Sequence, residues 1–471
     1  MPTYYVRPPG GTYGAENGTS YDNAFDGLAS VSGLVAGDTL YVCGTHGGGW
    51  TPAFSGSSGN PITVRFDYAA DLGYLTFSGA GTTLNINGIS HVTFKGVKIP
   101  AAGTTAGILI QGTTANIILD DPEVAGGNTR CIYILGNTHT GWEINRPIVT
   151  AGDGAVTSGI AKQAIYIWGN NATAGTTGKI VSPVVRSSAT SIASDATNFV
   201  GIQIEDWNGI DGRNGEGLEI HGFHTGLRLV DSDSNLLKVK LIKDCDNGGL
   251  KSDLTGGGYG ATLQASSTLN HIYGGEYDSN YQGYVDSSTA GGNLHYGAWH
   301  HDHTVNGISI VATGAALTEV YNFTIDHHPI DIEGHGFVVQ NGGAATNVKT
   351  RNGHIVCDKA GANVQCVAIS GTFSQIDIDY MNYYATNGAS LGQIDVTEYV
   401  TFDAWKTALA LKAGVIGDDV NSTNVSTLTD NGQKWWTAAR PIGSDHQPFP
   451  DFNITRGGTQ NRTAPFHPLE L

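Results

Sequence analysis

Three stretches of the chain repeat one design: GIQIEDWN from Gly201, GLRLVDSD from Gly226 and GLKSDLTG from Gly249. Between them they carry Gln203, Glu205, Asp206, Arg228, Asp231, Asp233, Lys251 and Asp253. Two earlier copies, CIYILGN from Cys131 and AIYIWGN from Ala164, put Tyr133, Tyr166 and Trp168 in the corresponding slots. Carboxylates and cations gathered in one place supply acid, base and charge stabilisation, and flat aromatic faces suit sugar rings. Only 14% of the chain is charged, so this concentration stands out. The plain alternative is a solvated face on which Arg228 and Lys251 pair with Glu205 and Asp253, and exposed pairs of that kind contribute little.

The first chemistry these groups suit is hydrolysis of a glycosidic bond. It needs two carboxyl groups flanking the bond, ~6.5–9.5 Å apart for inversion and ~5–5.5 Å for retention. Glu205 is the expected acid. Asp231 or Asp253 is the expected activator of water, and Asp233 is a further partner on the middle copy. Tyr133, Tyr166, Trp168, Gln203, Asp206 and Asp233 are expected to hold the sugar. Carboxylates outnumber cations here, which favours hydrolysis, and that route requires no cofactor.

A second cluster lies in WHHDH and IDHH: His300, His301, Asp302, His303, Asp326, His327 and His328. One slot of the repeat reads His224, Lys243, Glu276, His300, Asp326, His354. Imidazoles from stacked repeats can converge on a metal or act as a general base. A polar histidine ladder or a subunit contact explains the same residues without chemistry.

Residues this far apart act together only if the fold stacks them. The design that begins at Gly201 recurs from Gly107, Cys131, Ala164, Gly226, Gly249, Gly283, Gly307, Gly336 and Cys366. Each copy alternates with period two and reads as a strand. A second strand pattern alternates with it, as in VTFKGVKI from Val92, IILDDPEV from Ile117 and LKVKLIKD from Leu237. Coils of roughly 25 residues, repeated about eleven times, predict an all-β chain wound as a single-stranded right-handed parallel β-helix. Sandwiches and barrels turn every 8–12 residues instead. Equivalent slots then stack ~4.8 Å apart. Two residues after the lead, the outward row reads Tyr133, Tyr166, Gln203, Arg228, Lys251; four after, it reads Trp168, Glu205, Val230, Asp253. Two coil rises separate Glu205 from Asp253 by ~9.5 Å, the upper edge of the inverting range.

The opening YYVRPPGG, then GTSYDNAFDGLASV and AGDTLYVCGTH, over residues 4–46, resembles that of pectate-lyase-like β-helix proteins. That superfamily holds secreted polysaccharide lyases and hydrolases and phage tailspike depolymerases. The resemblance implies a polysaccharide-degrading enzyme, extracellular and either secreted or virion-associated. It also raises β-elimination on a uronic-acid polymer, with Arg228 or Lys251 as base and Ca²⁺ at Glu205, Asp206 and Asp231, hard oxygen ligands for that ion. A glycan-binding adhesin or tail spike without activity is a third reading, and spikes of this kind often form homotrimers.

Open ends of such a stack need covering. Residues 1–60 are expected to start and cap the helix, 61–394 to form it, and 395–471 to cap its other end. YDNAFDGLASVSGL reads as a short amphipathic helix in the first cap, and residues 399–414 as a helix in the second. Trp435 and Trp436 are expected to pack there.

Composition narrows partners. A formal charge of −18 with 24 Lys+Arg makes nucleic-acid binding unfavourable. No apolar run approaches the length that spans a membrane, and the N-terminus shows no apolar signal core. Five scattered cysteines without a CxxC pair imply neither a disulfide framework nor a zinc motif.

Overall fold

The computed structural model describes residues 2–424 except 78, 127–128, 137, 157–160, 170–176, 193–195, 246–257, 312–313, 328–333, 341–345, 359–363, 380, 387–388 and 419–421. Lys251, Asp253, His328, Trp435 and Trp436 therefore lie outside the described residues. Residues Met1–Thr423 form one compact unit; the other, Asn424–Leu471, is described only at Asn424.

The strands form a parallel β-helix. A typical coil contributes Thr114–Asp120 to a first face, Glu123–Gly126 to a second and Arg130–Leu135 to a third. Each pairs in parallel with its counterparts one coil before and after. Among the described residues the third face is a thirteen-stranded sheet. All its pairings are parallel except the last, Ser390–Ile394 with Thr397–Tyr399. Register makes the inward ladders explicit: Ile108, Ile132, Ile165, Ile202, Leu227, Ala261, Tyr284, Ile308, Phe337 and Val367 follow one another. Burying such ladders stabilises by about 25 cal/mol per Å² of apolar surface. Buried polar turns are also stacked. Asn235 Nδ2 donates to Asn270 Oδ1 at 2.9 Å, and Asn270 Nδ2 to Asn293 Oδ1 at 3.2 Å.

The lead residue of each third-face strand explains the repeated glycine. Where it is glycine, it turns toward the interior against the next coil with no room for a side chain; Cys131, Ala164 and Cys366 are the small residues that take the other leads. A Cβ on Gly201 would stand 2.7 Å from the carbonyl oxygen of Gly226. One on Gly226 would stand 2.6 Å from both the Gly260 oxygen and the Ile242 Cγ2. Gly226→Ala is expected to cost about 1–3 kcal/mol, the usual price of overpacking, read as a lower urea midpoint. An unchanged midpoint would show that the coil spacing yields freely.

Two expectations are corrected. The strand that follows Thr225–Val230 is Tyr259–Gln264, which pairs Arg228 with Thr262 and Val230 with Gln264, so Thr262 and Gln264 hold the slots expected for Lys251 and Asp253; Lys251 and Asp253 themselves lie outside the described residues. Residues 21–34 form no amphipathic helix: they hold a two-residue strand and the 3₁₀ turn Leu28–Ser30, which follows Gly27 at φ 81°, outside the helical region. At the other end, Phe402–Leu411 is a helix capped by the Thr401 side chain. It buries Trp405 and Leu409 against the last coil, where a Cβ on Gly392 would strike the Trp405 ring. Among the described residues no helix is long and apolar enough to cross a membrane.

Candidate active site

The third face carries the first set of candidate residues, and register brings most of them together. Tyr133, Tyr166, Gln203, Arg228 and Thr262 are successive partners in one outward row. Leu135, Trp168, Glu205, Val230 and Gln264 form the neighbouring row. Trp168 and Glu205 are direct partners, one coil rise of ~4.8 Å apart.

Tyr133 and Tyr166, expected as sugar platforms, are only 5% and 6% exposed. With Ala106 and Leu109 they form an apolar patch separate from the interior core, and Leu135 and Trp168 pack against it. Their rings stack at 5.2 Å and 2°, and Tyr166 continues onto Trp168 at 6.2 Å and 6°. The half-buried Trp168 is therefore the aromatic group with surface to offer a ligand. Beneath it the tyrosines form a support.

Glu205 ends its strand half-buried. Tyr166 Oη and Gln203 Nε2 both donate to its Oε2, each at 2.7 Å. Gln163 Nε2 in turn donates to Gln203 Oε1 at 3.5 Å. Burial and the Glu205 charge push the Tyr166 phenol far above its ordinary pKa, so it remains a donor. Donors locked by packing hold a reactive carboxylate in place better than mobile surface groups do.

Arg228 donates to two amide oxygens, Gln264 Oε1 and Asn198 Oδ1, each at 3.2 Å. Burial pulls its pKa below the ordinary value, against the opposing attraction of Glu205. A residue that the sequence reading passed over lies beside the tyrosines. Arg130 sits over Tyr133 at 4.4 Å and Tyr166 at 5.0 Å. It belongs to a third outward row, one residue before each lead: Ala106, Arg130, Gln163, Val200, Thr225, Tyr259. Strict alternation gave no signal, because the position before a lead is an odd number of residues from those two and four after it and counts as core-facing; the alternation breaks at the lead, which faces inward like the residue after it.

The aspartates serve the turns. Asp206 and Asp231 follow the strand at φ 53° and 48°, a left-handed conformation that Asp tolerates. Asp206 accepts from Trp168 Nε1 at 3.1 Å. Asp231 Oδ1 accepts from the Ser266 amide at 3.0 Å and its hydroxyl at 2.7 Å. Asp233 Oδ1 accepts from the Thr268 amide at 2.9 Å, and burial raises its carboxyl pKa. Glu205, Asp206 and Asp231 do not converge as a cation site: among the described residues the one such group within 4.8 Å is Glu276, Asp278 and His301.

The histidine cluster divides between inside and outside. The actual outward row on the second face is His221, Lys243, Asp278, His301, Asp326. Glu276 and His354 belong to the adjoining outward row, with Trp299 and Thr324 between them. His300, expected outside, lies on the interior row between Tyr277 and Ile325. His224 lies outside this face, just before the strand Thr225–Val230. A one-residue slip moves a side chain to the opposite face. His303 is also buried, its Nδ1 accepting from the Asn280 amide at 3.3 Å. His327 ends the strand Thr324–His327, opposite Cys357. Outside, His301 Nε2 meets Glu276 Oε1 at 3.0 Å and Nδ1 meets Asp302 Oδ2 at 3.0 Å. These carboxylates, with Asp278, raise its pKa against the effect of burial. That arrangement pairs the His301 ring with carboxylates on a polar face.

The fold and site define an all-β parallel β-helix with a structured polar and aromatic strip on one flank. No protein-family model and no curated protein matches the chain. Among solved structures it is similar to pectate lyase Pel9A, at 14% identity and TM-score 0.35, over 74% of this chain and 78% of that one. It is also similar to the GH136 lacto-N-biosidase from Eubacterium ramulus, at 10% identity and TM-score 0.32, over 84% of this chain and 68% of that one. Likenesses this low carry no argument about activity, and the architecture rests on the strand register itself.

Proposed function

We propose that this chain is a polysaccharide-degrading enzyme that cleaves glycosidic bonds along the third face. The observation that carries the reading is Glu205: a half-buried carboxylate fixed by two buried donors, beside an indole with an open surface. Trp168 stacks on a sugar ring, and Glu205 moves the proton. Of the two carboxylates expected to activate water, Asp231 is held by Ser266 in a turn, and Asp253 lies outside the described residues, the slot expected for it being held by Gln264. The bond chemistry is therefore read from the product. Elimination creates an unsaturated sugar absorbing in the near ultraviolet, and hydrolysis creates reducing ends without that absorbance.

The test is a screen of acidic and neutral polysaccharides, following reducing ends and ultraviolet absorbance together, with Glu205→Gln alongside. Release of product by the native chain and not by the variant is expected. Tight oligosaccharide binding without any product would replace the enzyme with a glycan-binding protein. Trp168→Ala is expected to weaken binding by about two- to tenfold, in line with the 0.5–1.5 kcal/mol that aromatic contacts add; unchanged affinity would move the sugar elsewhere.

A further inference from the structure

The described arginines of this acidic chain fall into two groups. Arg65, Arg146, Arg186, Arg213 and Arg351 each hold a carboxylate. Among the described residues Arg7, Arg130 and Arg228 have no carboxylate within 4.0 Å. Arg7 is placed between the rings of Tyr13 and Tyr21 at the start of the chain. The other two share the third face. Arg228 is desolvated and bound only to neutral amides. Arg130 lies over two stacked rings, and its Nε is buried without a hydrogen-bond partner.

In a protein of charge −18, carboxylates are not scarce. Two partly desolvated guanidinium groups left without one are costly unless something else supplies the negative charge. A guanidinium stacked on an aromatic ring keeps its planar edge of donors, the geometry that grips a carboxylate or sulfate bidentately. Arg130 and Arg228 stand three coil rises apart, ~14 Å along the flank, the span of roughly three sugar units. Glu205 lies between them on the intervening coils.

We propose that Arg130 and Arg228 are receptors for anionic groups on the polymer, so that the substrate is an acidic polysaccharide bearing carboxylate or sulfate. This rests on the reading of the third face as the sugar groove, and it holds for either bond chemistry. The two arginines select a chain charged at intervals, with Glu205 placed at the bond between the gripped units. Neutral polymers leave both guanidinium groups unpaired in the complex, and that penalty excludes them.

Affinity electrophoresis of the full chain tests it, in gels containing polygalacturonate, the same polymer with its carboxyls reduced to alcohols, or dextran sulfate. Retardation by an acidic polymer, lost on carboxyl reduction, is expected. Arg130→Gln and Arg228→Gln are each expected to weaken it by about tenfold to a hundredfold, the worth of a hydrogen bond to a charged group. Arg130→Lys is expected to restore only part, since an ammonium keeps charge without the fork. Retardation by dextran sulfate alone identifies the charged group as sulfate; by polygalacturonate alone, as carboxylate. Equal binding or cleavage of the reduced polymer, with Glu205 still required, overturns the inference and leaves the enzyme reading standing. Undiminished acidic binding in both glutamine variants also overturns it. Retention by no polymer removes the groove reading and the inference together. Far-ultraviolet circular dichroism of each variant separates lost binding from lost folding.

Discussion

Glu205→Gln is expected to lower kcat/KM for polysaccharide cleavage by about 10²–10⁴-fold, the range of a positioned acid or base, with little change in the urea midpoint. The amide keeps the size of the side chain. Its oxygen still accepts from Tyr166 and packs over Gln203, so the support beneath it remains. What it loses is the exchangeable proton. Binding measured on the variant is expected to stay close to native, because the arginines and Trp168 are untouched. Tyr166→Phe removes one donor from Oε2 without touching the substrate. It is expected to lower kcat by roughly tenfold to a hundredfold, as loss of a hydrogen bond to a charged group costs about 1.5–3 kcal/mol, and to shift the acid limb of the pH–rate profile with KM unchanged. Native rates in Glu205→Gln would displace the chemistry from this face, and the Glu276, Asp278 and His301 group would be next to examine.

The second large effect is on stability in acid. Between pH 6.5 and 5 the protein is expected to lose stability steeply, through its interior histidines. His295 and His300 are fully buried with their Nε2 atoms 3.0 Å apart. Tyr284 stacks on His295 at 4.1 Å, and Tyr277 on His300 at 4.5 Å. One shared proton can lie between two such nitrogens; a second sets two donors head to head in a medium without water. Burial holds His295 down to about 3. Burial and the neighbouring imidazoles of His295, His303 and His301 hold His300 well below its ordinary value.

The unfolded chain titrates these groups near pH 6.5. Because the folded values are depressed, the unfolded state binds more protons below that pH. Stability is complete above about pH 6.5 and falls as pH drops, by up to about 1.4 kcal/mol per unit for each imidazole. His46, His139, His221 and His271 are shifted the same way by burial. Three groups oppose the trend. Asp233 and Asp286 are raised by burial, and His301 is raised by its carboxylates, so all three favour the folded state on acidification. They are outnumbered. Urea midpoints measured from pH 8 to 5 check the expectation. His300→Phe, which keeps a ring against Tyr277, is expected to flatten the slope by about one proton. An equal slope in that variant would assign the acid lability to other groups.

Much of the fold was legible because a parallel β-helix repeats its local rules. Period-two alternation marked the third-face strands, and a small residue at the lead marked their start. The rows through Tyr133, Tyr166, Gln203 and Arg228 followed by counting from that lead. The failure at Gly249 had a visible warning. The slot three after each lead faces the core and holds Ile134, Ile167, Ile204 and Leu229 in other copies. In GLKSDLTG it holds Ser252, whereas the true strand places Leu263 there. The histidines gave less to work with. Trp299–His301 is three residues long, and a run this short, polar at both His positions, sets no phase between inside and outside.

Local pattern alone settled the coil architecture and the presence of an aromatic and charged strip, since each depends on neighbours within a few residues. Contacts between side chains 25 to 40 residues apart required the folded chain. The burial of Tyr133 and Tyr166, the grip of Tyr166 on Glu205, the stacking of Arg130 on Tyr166 and the pairing of Arg228 with neutral amides are all of this kind. They depend on coil register and on which loops are long, and inserting a dozen residues between strands changes both without altering the alternation of any strand.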